Sequence, residues 1–304
     1  LILTAAELAA KFISGTGTVA IKPDGLATSA NLLGITATNI TFPTSAPFFS
    51  VAAGGQIALT PARASGWTIE GAGTVSLVGT IDSNVVINAI SAPISLDGDG
   101  VVGTTVALGS TFTLTAAQAN GLTITGAGTT VIAGNIAGNS DLTRITTALD
   151  VSGSVNAGAI LTLTADQAHN RTLTGAGSVA ISSATSALVT DINLRHLATA
   201  GLQLDGSIAA TKTLSINAAQ QTVRVSGAGT VDILGTSADD IVAATDISAP
   251  RVVRGLAGRD TLVGAASNDT IDGGADNDRV DGGAGIDTAI FLGSATGAMI
   301  ISNA

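Results

Sequence analysis

Four nine-residue units follow one another without a gap from residue 255 to residue 290: GLAGRDTLV, GAASNDTID, GGADNDRVD and GGAGIDTAI. Each opens on Gly and places Asp sixth, at Asp260, Asp269, Asp278 and Asp287. The eighth places hold Leu262, Ile271, Val280 and, as the weakest fit, Ala289. A period this short dictates the local structure. Glycine lets the backbone turn tightly and aim its carbonyls inward. The Asp supplies one charge per turn. The aliphatic residue that follows starts a short strand whose side chain fills an interior shared with neighbouring units.

One carboxylate per turn among inward carbonyls is a set of hard oxygen donors. Such a set suits calcium, which takes about six to eight oxygen ligands. The same spacing also fits a string of Gly/Asp turns that hold no metal. The units resemble the nonapeptide GGxGxDxUx of the repeats-in-toxin (RTX) family. That resemblance implies a parallel β-roll in which each calcium ion lies between one loop and the loop two units later, on the same side. Carried over, it pairs Asp260 with Asp278 and Asp269 with Asp287. The glycines that match the family turn are Gly255, Gly264, Gly273 and Gly282 at the first place, Gly274 and Gly283 at the second, and Gly258 and Gly285 at the fourth. Asn268 and Asn277, just before the Asp, match a common family choice. Leu256 and Ala265 depart from the pattern at the second place, and Ser267 and Asp276 at the fourth. If those places need positive φ, the substitutions weaken the loops. A looser unit, GTSADDIVA (235–243), adds Asp240, which would pair with Asp260. Residues 244–254 interrupt the register between them.

Charge is concentrated where the ion is expected. Residues 235–290 hold ten Asp against four Arg, a net of −6 within a chain of net −10. Such a segment repels itself without calcium and folds on binding it. The 304 residues allow one long domain or two ordinary ones. The chain opens on Leu1 with no leader pattern, as a fragment or processed form does. Cysteine is absent and aromatic residues are 2%. Disulfides and thiolate metal sites are therefore excluded, and stacking platforms for sugars or bases are scarce. Acidity without a basic cluster speaks against nucleic acid. Mean hydropathy is +0.51, yet no apolar run approaches the roughly 18 residues of a membrane span.

Upstream, a longer pattern recurs five times. Its clearest copies are LTPARASGWTIEGAGTVSLVG (59–79), LTAAQANGLTITGAGTTVIAG (114–134) and LTADQAHNRTLTGAGSVAIS (163–182), with looser ones at 3–21 and 216–235. Gly-x-Gly signposts begin at Gly15, Gly71, Gly126, Gly175 and Gly227, so the unit is near fifty residues. Thr4 with Glu7, Thr115 with Gln118, and Thr164 with Gln167 are capping boxes. Asn217 with Gln220 is a variant, and Thr60 with Arg63 lacks the reciprocal acceptor. Each box starts one or two helical turns. Apolar/polar alternation then marks a strand, and the GAG marks a bulge or corner. The expected fold class is all-β: elongated β-solenoid-like repeats with short capped helical turns, ending in a parallel calcium β-roll. Tandem β-sandwiches are the alternative, against which the short unit and the lack of linkers argue. The expected division is repeats over 1–234, the roll over 235–292 and a tail over 293–304 that adds a closing strand.

Little in the chain suits an enzyme. The histidines are His169 and His196, and the glutamates Glu7 and Glu70. No metalloprotease, nucleophile-elbow or phosphate-loop pattern occurs. His169 reads as a surface turn residue, Asp97-Gly-Asp99-Gly as a solvated turn, and Trp67 as a buried strand residue aligned with Leu122. The expected function is structural and non-enzymatic: a calcium-stabilised, secreted subunit of a surface layer (S-layer), surface filament or large adhesin on a bacterial cell. Self-association into filaments or a lattice, calcium, and a cell-surface glycan are the expected partners, without nucleic acid or a membrane span. The RTX resemblance implies type I secretion from a Gram-negative bacterium, with folding outside the cell. The alternative is the export module and repeat region of a secreted RTX hydrolase. Ligand or ice adhesion through Thr ranks is a third reading.

Overall fold

Strict alternation sets the strands. Thr111–Thr115, Ile160–Thr164, Thr213–Asn217 and Thr230–Leu234 each bury every second side chain. Phe112, Leu114, Leu161, Leu163, Leu214 and Ile216 are fully buried, and Thr or Ser stands between them. A computed structural model describes residues 2–3, 7, 18–21, 30–31, 39–41, 49–98, 101–182, 188–220, 223–243, 247–290 and 299–301. The copy at 3–21 lies largely outside these residues, as does Asp99.

The chain forms two units, Leu1–Asn135 with Arg144–Val151, and Ile136–Thr143 with Ser152–Ala304. Each is a parallel β-solenoid. Strands pair in parallel with the strand one coil later, which excludes tandem antiparallel sandwiches. The antiparallel exception among the described residues is Ile94–Gly98 with Val101–Val102. In the first unit Ile57 pairs with Val75, and Val75 in turn with Ile94. Thr113 to Val131 to Asp150 repeats those steps. In the second unit Leu161 pairs with Val179, and Leu214 with Val231. A coil is therefore much shorter than the fifty-residue sequence unit. That unit marks the recurrence of one decorated coil among plainer ones.

The decorated coil carries the helical turn. Pro61–Ala64, Ala116–Ala119 and Ala165–Ala168 are four-residue helices, and Ala218–Gln220 is a 3-10 turn. Both halves of the capping box form at Thr115/Gln118 and Thr164/Gln167. Thr60 makes no side-chain cap. The boxed Gln also reaches out of its own coil. Gln118 Nε2 donates to the Ile87 carbonyl at 2.8 Å, Gln167 Nε2 to Leu142 at 2.9 Å, and Gln220 Nε2 to Leu194 at 2.8 Å.

The GAG signpost is a corner where backbone meets backbone. Gly126 has φ +112°, and a Cβ there would lie 2.3 Å from the Val106 carbonyl oxygen of the preceding coil. Gly128 donates its N–H to that carbonyl at 3.0 Å. Gly71, Gly175 and Gly227 repeat the positive φ and the approach. Trp67 departs from expectation: it is half-buried and, like Leu122, precedes its strand rather than joining it. The Gly66 turn just before it delays the start of pairing until Ile69–Glu70.

Candidate calcium site

The nonapeptides form the end of the second unit as two facing ladders. One runs Arg251–Arg254, Thr270–Asp272, Thr288–Ile290; the other runs Ile241–Val242, Thr261–Val263, Arg279–Asp281, Met299–Ile301. Thr261 pairs with Arg279, and Thr270 with Thr288. Two nonapeptides therefore make one coil, and alternate units stack on the same side. The eighth-place residues Val242, Leu262, Ile271 and Val280 are buried at 0 to 3% exposure. Ala289 is exposed, in line with its poor fit. Met299–Ile301 closes the second ladder on Arg279–Asp281.

This stacking sorts the acids into two columns. In one, Asp240 donates its backbone N–H to Asp260 Oδ1 at 2.8 Å, and Asp260 donates to Asp278 Oδ1 at 3.0 Å. In the other, Arg251 donates to Asp269 Oδ1 and Asp269 to Asp287 Oδ1, both at 2.9 Å. The structure thus brings together Asp260 with Asp278, Asp269 with Asp287, and Asp240 with Asp260. Asp260, Asp269 and Asp278 are buried, whereas Asp240 and Asp287 are half-buried. Three acids in one acidic segment, withdrawn from water, need compensation.

The glycines divide by role. At the first place the carboxylate folds back onto the glycine. A Cβ on Gly255 would lie 2.2 Å from Asp260 Oδ2, and one on Gly264, Gly273 or Gly282 would lie 2.8, 2.5 or 2.5 Å from Oδ2 of its own Asp. A side chain at this place would occupy the cradle around the carboxylate. At the second and fourth places the need is conformational. Gly274, Gly283, Gly258 and Gly285 all have positive φ. Leu256 at +82° and Asp276 at +77° adopt the same region without being glycine, the strained substitution the sequence pointed to. Ala265 and Ser267 do not adopt it. Their loop instead closes on itself, with Ala265 N–H donating to Asp269 Oδ2 at 2.7 Å and Ser267 Oγ contacting Asp269 Oδ1 at 3.2 Å.

Asp260 stands apart. Its Oδ2 is buried and has no hydrogen-bond partner among the described residues. Burial pushes its carboxyl above the usual range. The Asp240 backbone N–H acts the other way, while Asp278, Asp240 and Asp239 add to the upward push. An orphaned carboxylate oxygen beside other acids, over a glycine cradle, fits a hard cation. No three acidic, His or Cys side chains converge among the described residues. Asn268, one of the two family-like asparagines, is engaged in the scaffold and accepts from Ile286 N–H at 2.9 Å.

The expected interruption at 244–254 needs correction. Val252 pairs with Thr270 and Val253 with Ile271, so the Arg251–Arg254 strand keeps the roll register. On that side Arg251 and Asp269 stand 18 residues apart, the same step as Asp260 to Asp278. On the other side Asp240 and Asp260 stand 20 residues apart. The irregularity is two extra residues. In sequence, residues 246–254, DISAPRVVR, read as a degenerate nonapeptide with Val253 at the eighth place and Arg251 at the sixth. The buried Val253 was the available signal; Arg in the acid slot concealed it.

Outside the roll, Asp97 lies in the strand Ile94–Gly98 and pairs with Val78. His169 is an exposed helix C-cap whose Nδ1 accepts from Asn193 N–H at 3.0 Å. His196 is exposed. A cavity of about 540 Å³ beside the Ala116–Ala119 turn is lined by Ile90, Pro93, Ile94 and Leu122 with polar groups such as Asn88 and Gln118, and by no acid or histidine. Among the described residues no helix is long and apolar enough to cross a membrane.

Comparison with known families matches residues 254–289 to the RTX calcium-binding nonapeptide repeat, in 4 copies. The repeat binds calcium. No curated protein and no solved structure matches the chain.

Proposed function

We propose that this RTX repeat protein is a structural subunit of the bacterial exterior, part of a surface layer, filament or large adhesin whose solenoid calcium completes and holds. One observation carries the reading. The roll is not a separate appendage: a single six-stranded parallel sheet runs from Ile192–Asn193 through Thr213–Asn217 and Thr230–Leu234 into Arg251–Arg254, Thr270–Asp272 and Thr288–Ile290. Ordering the last coils therefore extends a ladder that the repeat coils began. A ligand that binds only the ordered state stabilises it by mass action, and here the ordered state includes the repeat body. The carboxylates Asp240, Asp260, Asp278, Asp269 and Asp287 would hold the ion together with carbonyls of the turns at Gly255, Gly264, Gly273 and Gly282. Calcium supplies the positive charge that these buried acids lack.

The reading extends to export through a type I system in an unfolded, calcium-poor state, with folding outside. It is non-enzymatic, since Thr, Ser and Ala dominate the outward strand positions and reactive side chains are few. Edge backbone at the ends of a solenoid favours association with further copies. Light scattering of the purified chain during a calcium titration after chelation tests it. Large assemblies that chelator reverses are expected. A calcium-compacted monomer that never associates would overturn the subunit reading and favour the export module of a larger secreted enzyme.

A further inference from the structure

Arg251 sits in the acid place of a roll unit, and its surroundings explain why the substitution is tolerated. Its backbone makes the same bond as an Asp of the repeat, donating to Asp269 Oδ1 at 2.9 Å, as Asp260 donates to Asp278. Its side chain does not leave for solvent. Arg251 is 1% exposed and is the largest fully buried side chain among the described residues. The guanidinium turns toward the loop of Asp269, two units later. Its Nε lies 3.9 Å from Asp269 Oδ2, and its Nη1 donates to the Val263 carbonyl at 3.4 Å. Its Nε and Nη2 have no hydrogen-bond partner among the described residues, so the group is held there chiefly by charge and packing.

We infer that the Arg251 guanidinium is a tethered cation that takes the place of a calcium ion between the 247–251 segment and the 264–269 turn. This inference rests on the calcium reading of the roll. Its position is that of an ion, between one loop and the loop two units later. Its neighbours are the kinds an ion takes, a carboxylate oxygen and the backbone carbonyl that ends the Thr261–Val263 strand. The opposite side of the roll provides the comparison. There Asp240 faces Asp260, and Asp260 Oδ2 is left orphaned among the described residues. Asp269, by contrast, has both oxygens hydrogen-bonded by the protein: Arg251 N–H and Ser267 Oγ donate to Oδ1 and Ala265 N–H to Oδ2, with the guanidinium Nε 3.9 Å from Oδ2. Among the four contiguous nonapeptides, the loop that meets Arg251 is also the one whose second and fourth places, Ala265 and Ser267, stay out of the left-handed region. A loop relieved of coordinating an ion on that side has no need of that conformation.

The consequence is regulatory. The rung that joins the roll to the repeat coils is neutralised without calcium, through Val231 paired with Arg251. It offers a folded edge on which calcium-loaded coils add in order toward residue 290. The number of ions is one fewer than the count of stacked loop pairs.

Native mass spectrometry of the full chain in saturating calcium tests this. Arg251→Asp should bind one more ion than the wild type, because it restores the carboxylate and vacates the position. A folded Arg251→Asp with an unchanged ion count overturns the inference. Should that variant fail to fold, Arg251→Met decides. It should keep the wild-type ion count while the calcium needed for half-maximal folding rises severalfold, since Asp269 loses its fixed counter-charge. An unshifted midpoint overturns the inference. A wild type that binds no calcium overturns the calcium reading itself, an outcome distinct from either variant result.

Discussion

Asp260 shows at the scale of one residue what the roll requires. Its carboxylate is buried at 1% exposure with one oxygen unsatisfied, and burial and neighbouring acids raise its proton affinity in the folded state. The linkage sign follows. A carboxyl whose folded value lies above its unfolded value favours folding at low pH, and that contribution is lost as pH rises through the raised value. In chelator, the roll should therefore gain order as pH falls from neutral toward the ordinary carboxylate range. Asp260→Asn should flatten that slope, and a slope equal to wild type would contradict the assignment. In calcium, Asp260→Ala with Asp278→Ala should raise the folding midpoint by about tenfold or more, equivalent to about 1.4 kcal/mol. Asp97→Ala with Asp99→Ala should leave it in place; equal shifts in the two pairs, read by circular dichroism, would remove the site. Glycine gives a third comparison. Gly255→Ala puts a Cβ 2.2 Å from Asp260 Oδ2 and 2.4 Å from the Gly273 carbonyl, and should cost about 1 to 3 kcal/mol. Gly138 has open space around it, so Gly138→Ala should change stability by less than about 0.5 kcal/mol in either direction.

Among elements, the short helices matter less as helices than as clamps. Gln167 accepts from Thr164 N–H at 2.8 Å to complete the box and donates to the Leu142 carbonyl of the preceding coil. Gln167→Ala should cost about 2 kcal/mol or more in chemical denaturation, adding a lost cap to a stranded carbonyl. Gln167→Glu keeps the acceptor and loses the donor, so its loss should be smaller; equal losses would show that the clamp alone matters. The box was legible because its two partners are near neighbours in the chain. The clamp was not, because its carbonyl lies 25 residues upstream. The same contrast holds in the roll. The column pairing of Asp260 with Asp278 follows from a nine-residue period with two units per coil, which sequence spacing carries. The place of Arg251 does not, because two extra residues shift the spacing and a cation stands where the pattern asks for an acid. The length of a repeat coil was likewise hidden. Only the coil with a capping box and a GAG corner repeats visibly, while the coils between bury aliphatics such as Ile145, Leu149 and Ile192 without a recurring motif.

At the scale of the molecule, a single parallel ladder in the second unit links calcium-independent coils to calcium-binding ones. The repeat coils bury Leu161, Leu163, Leu214 and Ile216 completely, and this apolar burial holds them without an ion. Each of the first three nonapeptides buries one aliphatic side chain beside a carboxylate and the fourth buries none, which leaves folding short of a driving force until the charge is neutralised. The unit should therefore order in two stages, repeats first and roll second, with Arg251 at the boundary. Hydrogen exchange of the whole chain, in calcium and in chelator, tests this most directly. Amides of Thr261–Val263, Thr270–Asp272 and Arg279–Asp281 should be protected in calcium and exchange rapidly in chelator, while those of Ile160–Thr164 and Thr213–Asn217 stay protected in both. Equal protection of the roll strands in the two conditions would contradict the account.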